Sequence, residues 1–297
     1  MCRCGRSGTS PKWHLMHRHR IDADCFDNWT AVVLPADIFI NKKRGQNMSD
    51  TEMIFAHRGL NQEAPENTMA AFRLAHQRGA TWMETDVDVL GDGTVIICHD
   101  TTLDRTTDRA GSYYGLSAAD LDHIDAGSWF APDFRGERIP RLSELIQFMN
   151  ETGMNCNIEV KSNEAGKEMT LMLINNLLAE LEKLDTNKCQ VIISCFNHVL
   201  LAKLKEKAPK LPVGCLYETC ALYDDWKSLL ELVGADYIHP EDTGLTREKV
   251  QAFRQAGFGV NVWTVNDIAR ANQLFNWGAT GVFTDIADRF VAARHAK

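Results

Sequence analysis

Four acids, two imidazoles and two fixed cations fall in four short segments of this 297-residue chain: His57-Arg58-Gly59, Glu84-Thr85-Asp86, His99-Asp100 and Glu159-Val160-Lys161. A divalent metal attacking a phosphate ester needs this inventory, and few other reactions need all of it at once. Glu84 and Asp86 stand two apart and so share a strand face, and Glu159 and Lys161 repeat the spacing further on. Carboxylates turned into a barrel are costly without a cation or a hydrogen-bond network. One such pair alone reads better as a solvated strand end. Three acids at adjacent strand ends favour a hard, oxygen-loving ion, Mg²⁺ or Ca²⁺.

His57 and His99 titrate near neutrality, so one can take a proton from a nucleophile while the other gives one to a leaving alkoxide. Arg58 and Lys161 carry charge suited to non-bridging phosphate oxygens. In Pro65-Glu66-Asn67-Thr68, Asn67 or Thr68 is expected to cap a helix, and the Asn67 amide is a candidate for the cleft. Trp263 ends a late apolar run, where it either packs over the substrate's carbon skeleton or fills the wall. Phe196 and Glu218 end other runs and are weaker candidates for the pocket wall.

Positioning these groups falls to strands and helices that alternate from Met53 onward, the pattern of βα units around a parallel sheet. Strands are expected near Met53, Trp82, Val95, Cys156, Val191, Val213, Tyr237, Gly259 and Gly281. Helices are expected over Thr68–Gln77, Leu142–Glu151, Lys167–Lys183, His198–Lys207, Tyr223–Leu232, Thr246–Ala256, Asp267–Trp277 and Ala287–Arg294. Gly79, Gly153, Gly257 and Gly278 follow helices, where a left-handed cap is wanted. Nine strands exceed a (β/α)₈ barrel by one. Only five residues separate Val89 from Val95, so that connection is a hairpin and the Val95 strand runs back antiparallel. A two-residue Asp92-Gly93 turn would set Asp86 opposite His99, and a longer turn would shift this by a residue or two. Eight staves remain, with an insertion over about residues 100–141.

The net charge of −8 argues against a nucleic-acid partner. Residues 1–47 carry a net +4, which leaves −12 for the remainder. Cys2, Cys4, His14, His17, His19 and Cys25 could be drawn round a zinc ion, but their spacing matches no standard pattern. The segment reads better as a disordered or non-native extension, with Met48 the natural start. Nine scattered cysteines read as reduced thiols in a cytoplasmic protein, and no run reaches the length of a membrane span. Nothing in the sequence bears on oligomeric state.

The motifs His57-Arg58-Gly59, Pro65-Glu66-Asn67-Thr68, Glu84-Thr85-Asp86-Val87, His99-Asp100, Ile158-Glu159-Val160-Lys161 and Val262-Trp263-Thr264-Val265-Asn266 resemble the glycerophosphodiester phosphodiesterase family in order and spacing. The resemblance spans about residues 53–290 and is closest to the short bacterial cytoplasmic members. It implies a TIM barrel with a small subdomain after the second-strand hairpin. By the same resemblance His57 and His99 match acid–base histidines, and Glu84, Asp86 and Glu159 match metal ligands. Arg58 and Lys161 match phosphate-contacting cations. Thr85 departs from the family's apolar residue there and, facing away, is expected to matter little. The implied reaction is metal-dependent hydrolysis of a small glycerophosphodiester to sn-glycerol 3-phosphate and an alcohol, with no integral membrane association. The alternative is a phospholipase-like lyase on lysophospholipids that stops at a cyclic phosphate, or a silent binding protein, which the complete set of histidines and acids disfavours.

Overall fold

A computed structural model describes residues 52–295; the extension and its cysteine–histidine cluster lie outside the described residues. Nine strands follow in chain order: β1 (Met53–Ala56), β2 (Trp82–Val89), β3 (Val95–Ile97), β4 (Asn155–Val160), β5 (Val191–Cys195), β6 (Val213–Tyr217), β7 (Tyr237–Pro240), β8 (Gly259–Val262) and β9 (Gly281–Thr284). β1 pairs in parallel with both β2 and β9, and the ladder β2-β4-β5-β6-β7-β8-β9 completes a closed eight-stranded parallel barrel. Closure removes free sheet edges. β3 alone is antiparallel, laid on the far end of β2.

The helices are α1 (Met69–Gln77), α2 (Leu142–Thr152), α3 (Lys167–Leu181), α4 (His198–Lys207), α5 (Trp226–Val233), α6 (Arg247–Gln255), α7 (Ile268–Trp277) and α8 (Ala287–His295). Side chains of Thr68, Asn197, Thr246 and Asp267 accept from first-turn amides and fix where α1, α4, α6 and α7 begin. Helix α5 starts at Trp226, three residues later than its apolar pattern suggests. A short 3₁₀ turn at Thr219–Ala221, followed by the Trp226 amide bonding back to the Tyr223 carbonyl, uses up that stretch of chain.

Alternation decides which side chains meet which layer. Along β2, Met83, Val87 and Val89 pack outward into the core shared with the helices, while Trp82 turns inward with Phe55, Ile192 and Phe283. Phe55 stacks on Phe283 with ring centroids 4.4 Å apart and meets Trp82 edge-on at 5.2 Å. These rings plug the barrel beneath its C-terminal rim, and truncating one costs roughly 3–5 kcal/mol.

The hairpin departs from the expected register by one residue. Leu90 and Thr94 close a three-residue loop, Gly91-Asp92-Gly93, with Gly93 at φ +90°. Asp86 therefore faces Cys98 rather than His99, its carbonyl accepting from the Cys98 amide at 3.1 Å. The left-handed glycine and the Asp92 carboxylate, which accepts from the Thr94 amide, favour the longer loop. Residues 98–141 then build a small subdomain with its own core of Leu103, Tyr113, Leu121, Ile124 and Ile139, to which Leu90 and Ile96 contribute. It is bolted to the barrel through the buried Asp88 carboxylate, which accepts from the Tyr113 and Tyr114 hydroxyls at 2.7 and 2.8 Å and from Asn163 Nδ2 at 2.8 Å. Among the described residues no helix is long and apolar enough to cross a membrane.

Candidate active site

Glu84 and Asp86 point inward from β2 and Glu159 from β4, where Asp86 lies directly opposite Glu159 in the ladder. One carboxylate oxygen from each falls within 4.8 Å of the others. Glu84 and Asp86 are almost fully buried. Burial, then repulsion by Asp86, pushes Glu84 up to about 8. Burial and the same neighbour raise Glu159. Asp86 resists its own burial because Lys161 and Arg58 hold it down to about 2. Three oxygen donors, two buried and one partly buried, that repel one another in this way fit a divalent cation, which would let all three ionise near neutral pH. Mg²⁺ and Ca²⁺ both suit an all-oxygen set, and these donors do not choose between them.

The histidines flank the cluster, His57 within the field of Glu84 and His99 within that of Asp86. Each ring is oriented by a carboxylate on Nδ1: Asp285 at 2.7 Å for His57 and Asp100 at 2.6 Å for His99. That leaves Nε2 of each ring as the atom available to exchange a proton. Burial opposes charging of His57, but the bond to Asp285 and the charge of Glu84 raise its pKa above the ordinary value. Burial lowers that of His99, the attraction of Asp86 being countered by Lys161 and Arg58. Asp285 is in turn fixed by Asn61 Nδ2 at 2.6 Å and Asn266 Nδ2 at 2.7 Å.

Arg58 turns at φ +55° so that its amide donates to Glu84 Oε2 at 2.9 Å, while its guanidinium reaches Glu66 at 2.8 Å and lies 3.5 Å from Asp86. The next residue, Gly59, sits at φ +80° with its α-carbon packed so closely on Ala71 that an added Cβ would lie 2.7 Å from that side chain. Lys161, one residue past β4, donates to Glu159 at 2.8 Å and to Asp86 at 3.3 Å.

Asn67 stands behind the cluster, its Nδ2 donating to Asp86 Oδ2 at 2.9 Å and its Oδ1 accepting from the Thr85 hydroxyl at 2.8 Å. Thr68, not Asn67, caps α1. Thr85 does face out of the barrel, but it has a consequence that its outward position conceals: its hydroxyl sets which end of the Asn67 amide meets Asp86. Trp263 follows β8, donates from Nε1 to the His239 carbonyl at 2.9 Å and meets half-exposed Phe196 edge-on at 5.6 Å. Glu218 is exposed beyond β6.

His57, Arg58, Asn67, Glu84, Asp86, His99, Glu159 and Lys161 thus come together at one rim, with Trp263 at the same end of the barrel, and the sequence reading gave no role to Asp285, Asn61 or Glu66. Asp285 directly follows the apolar run of β9, so the strand-end rule that singled out His57 would have found it. Asn266 lay within a quoted motif, but nothing in its spacing signals a carboxylate partner.

Comparison with known proteins identifies the family. Residues 57–289 match the model of the glycerophosphoryl diester phosphodiesterase family. The chain is 34% identical over 233 residues to the glycerophosphodiester phosphodiesterase of Caldanaerobacter subterraneus subsp. tengcongensis, covering 78% of this chain and 93% of that one. It is 32% identical over 257 residues to the Bacillus subtilis enzyme of the same name, covering 81% and 86%. An Oleispira antarctica phosphodiesterase, solved in complex with the product sn-glycerol-3-phosphate, superimposes with a TM-score of 0.77 at 32% identity, covering 82% of this chain and 96% of that one. The chain belongs to the glycerophosphoryl diester phosphodiesterase family.

Proposed function

We propose that this protein hydrolyses small glycerophosphodiesters to sn-glycerol 3-phosphate and an alcohol, with one divalent cation, Mg²⁺ or Ca²⁺, held by Glu84, Asp86 and Glu159. The observation that carries the reading is the convergence of those three carboxylates within 4.8 Å, flanked by two rings that each have a carboxylate on Nδ1. The two similar enzymes above carry the name of this activity, and the Oleispira phosphodiesterase was solved with this product.

When bound, the cation would act as a Lewis acid on a phosphoryl oxygen. Arg58 and Lys161 offer positive charge to the other non-bridging oxygens, and both are buried enough for that charge to be weakly screened. One histidine takes the proton of the attacking hydroxyl through Nε2, and the other gives a proton to the departing alkoxide. If the glycerol 2-hydroxyl attacks, its oxygen bonds to phosphorus as the alcohol's P–O bond breaks, and intramolecular proximity favours that step. Water then opens the cyclic phosphate with the histidines' roles exchanged. Trp263 and Phe196 offer an apolar wall to the carbon skeleton. Asn67 contributes through Asp86, which its amide holds. The buried free thiols Cys98, Cys156, Cys189, Cys195 and Cys215 are compatible with a reducing cytoplasm.

Phosphorus NMR of a glycerophosphodiester incubated with the protein tests the reading. A phosphomonoester is the expected final product, and His57→Ala and His99→Ala should each slow its formation at least ~10²-fold while retaining the cation. A cyclic phosphate that accumulates and is never opened would point instead to the lyase on lysophospholipids. Near-normal turnover in either variant would reject the histidine assignment.

A further inference from the structure

Besides His99 and Asp100, the inserted subdomain sends Arg105 back to the catalytic rim. Arg105 grips Asp100 with Nε at 2.7 Å and Nη2 at 2.9 Å, and grips Glu66 with Nη1 at 2.7 Å and Nη2 at 2.8 Å. Each gripped carboxylate also holds a group of the site. The Asp100 oxygen that meets Nη2 is the one on His99 Nδ1, and the Glu66 oxygen that meets Nη2 is the one accepting from Arg58. A continuous path of hydrogen bonds therefore runs from His99 through Asp100, Arg105 and Glu66 to Arg58.

We propose that Arg105 is a positioning residue that sets the orientation of His99 and of Arg58 together, so that the proton-transfer ring and the phosphate-facing guanidinium are aligned by one planar fork. The inference rests on the phosphodiesterase reading above. Two features separate it from an ordinary surface ion pair. A guanidinium holding two carboxylates bidentately fixes the plane of each, which a single contact does not. And the two carboxylates come from separate segments, the Pro65-Glu66-Asn67 turn after β1 and the His99-Asp100 pair after β3, a strand only three residues long. Anchoring the subdomain is not what Arg105 is needed for. Its own apolar core and the Tyr113 and Tyr114 hydroxyls on Asp88 already do that.

Arg105→Gln and Glu66→Gln, alone and combined, test this by steady-state kinetics on a glycerophosphodiester at saturating divalent cation, with the melting temperature measured beside each. Arg105→Gln should lower kcat ~10-fold or more with the melting temperature little changed, since small misplacements of reacting groups cost this much. Glu66→Gln frees only Arg58, so its main effect should be a raised KM. In kcat the double variant should be no worse than Arg105→Gln alone, because both break one path to His99, while the KM effect of Glu66→Gln persists. Arg105→Lys keeps the charge without the fork and should not restore kcat. If Arg105→Gln does not fold, Arg105→Lys and Glu66→Gln decide the matter by the same criteria. Wild-type kcat in Arg105→Gln, multiplicative losses in the double variant, or full rescue by lysine would overturn the proposal. A wild-type protein without turnover would instead overturn the phosphodiesterase reading, which keeps the two failures distinct.

Discussion

At the scale of single residues, the site is organised by carboxylates that hold its other side chains in place. Asp285 binds His57 Nδ1 at 2.7 Å and so favours the tautomer that carries its proton on Nδ1 and leaves Nε2 as the acceptor. Its own charge is held in place by two neutral amides, and the bond to His57 with the amide contacts keeps its pKa low despite burial. Asp285→Asn should therefore leave KM nearly unchanged and lower kcat at least ~10²-fold, because an amide can present the wrong partner to Nδ1. Steady-state kinetics with the melting temperature as control check this, and wild-type kcat would show that the ring needs no carboxylate to orient it. The eight residues read as chemistry-bearing from the motifs alone, with Trp263, gather at the same rim. Asp285 was within reach of the strand-end rule, but its pairing with His57 was not: that role is fixed by β1 and β9 meeting as the barrel closes, a contact spanning 228 positions that no local pattern encodes.

At the scale of elements, period-two and period-3.6 patterns made the strands and helices legible almost to the residue, because each element packs one face on a large core. The exceptions lie where turn chemistry decides. Nothing in Gly91-Asp92-Gly93 distinguishes a two-residue from a three-residue loop until Asp92 finds its amide partners, and the choice moves the partner of Asp86 from His99 to Cys98. The late start of α5 has the same origin. The turn after β1 matters more to the site, since Gly59 lets the chain double back against α1 and so aims the Arg58 amide at Glu84. A methyl group there meets Ala71 and forces a non-glycine residue to φ +80°, so Gly59→Ala should destabilise the fold by about 2–4 kcal/mol. Urea unfolding would measure this, and a variant as stable as the parent would mean that the turn relaxes freely.

At the scale of the whole molecule, the barrel stacks a polar rim over a plugged, partly polar interior. His239 lies inside it with no exposed surface, and burial lowers its pKa to about 3 from the ordinary 6.5. Between those values the unfolded chain binds the extra proton, so this residue makes stability fall as the pH drops through that window, by up to about 1.4 kcal/mol per unit. His239→Gln should flatten the decline in unfolding free energy between neutral and mildly acidic pH, and an unchanged slope would exclude this ring as the source. The rim itself depends on neighbouring staves delivering Glu84, Asp86 and Glu159 to one point, where the proposed cation would relieve their repulsion. Rates of glycerophosphodiester hydrolysis in chelator-treated protein, titrated with Mg²⁺ or Ca²⁺ and repeated with Glu159→Gln, test that most directly. Turnover should vanish on chelation, return with either added ion, and require a higher ion concentration in the variant. Full turnover in the chelated protein would contradict the account.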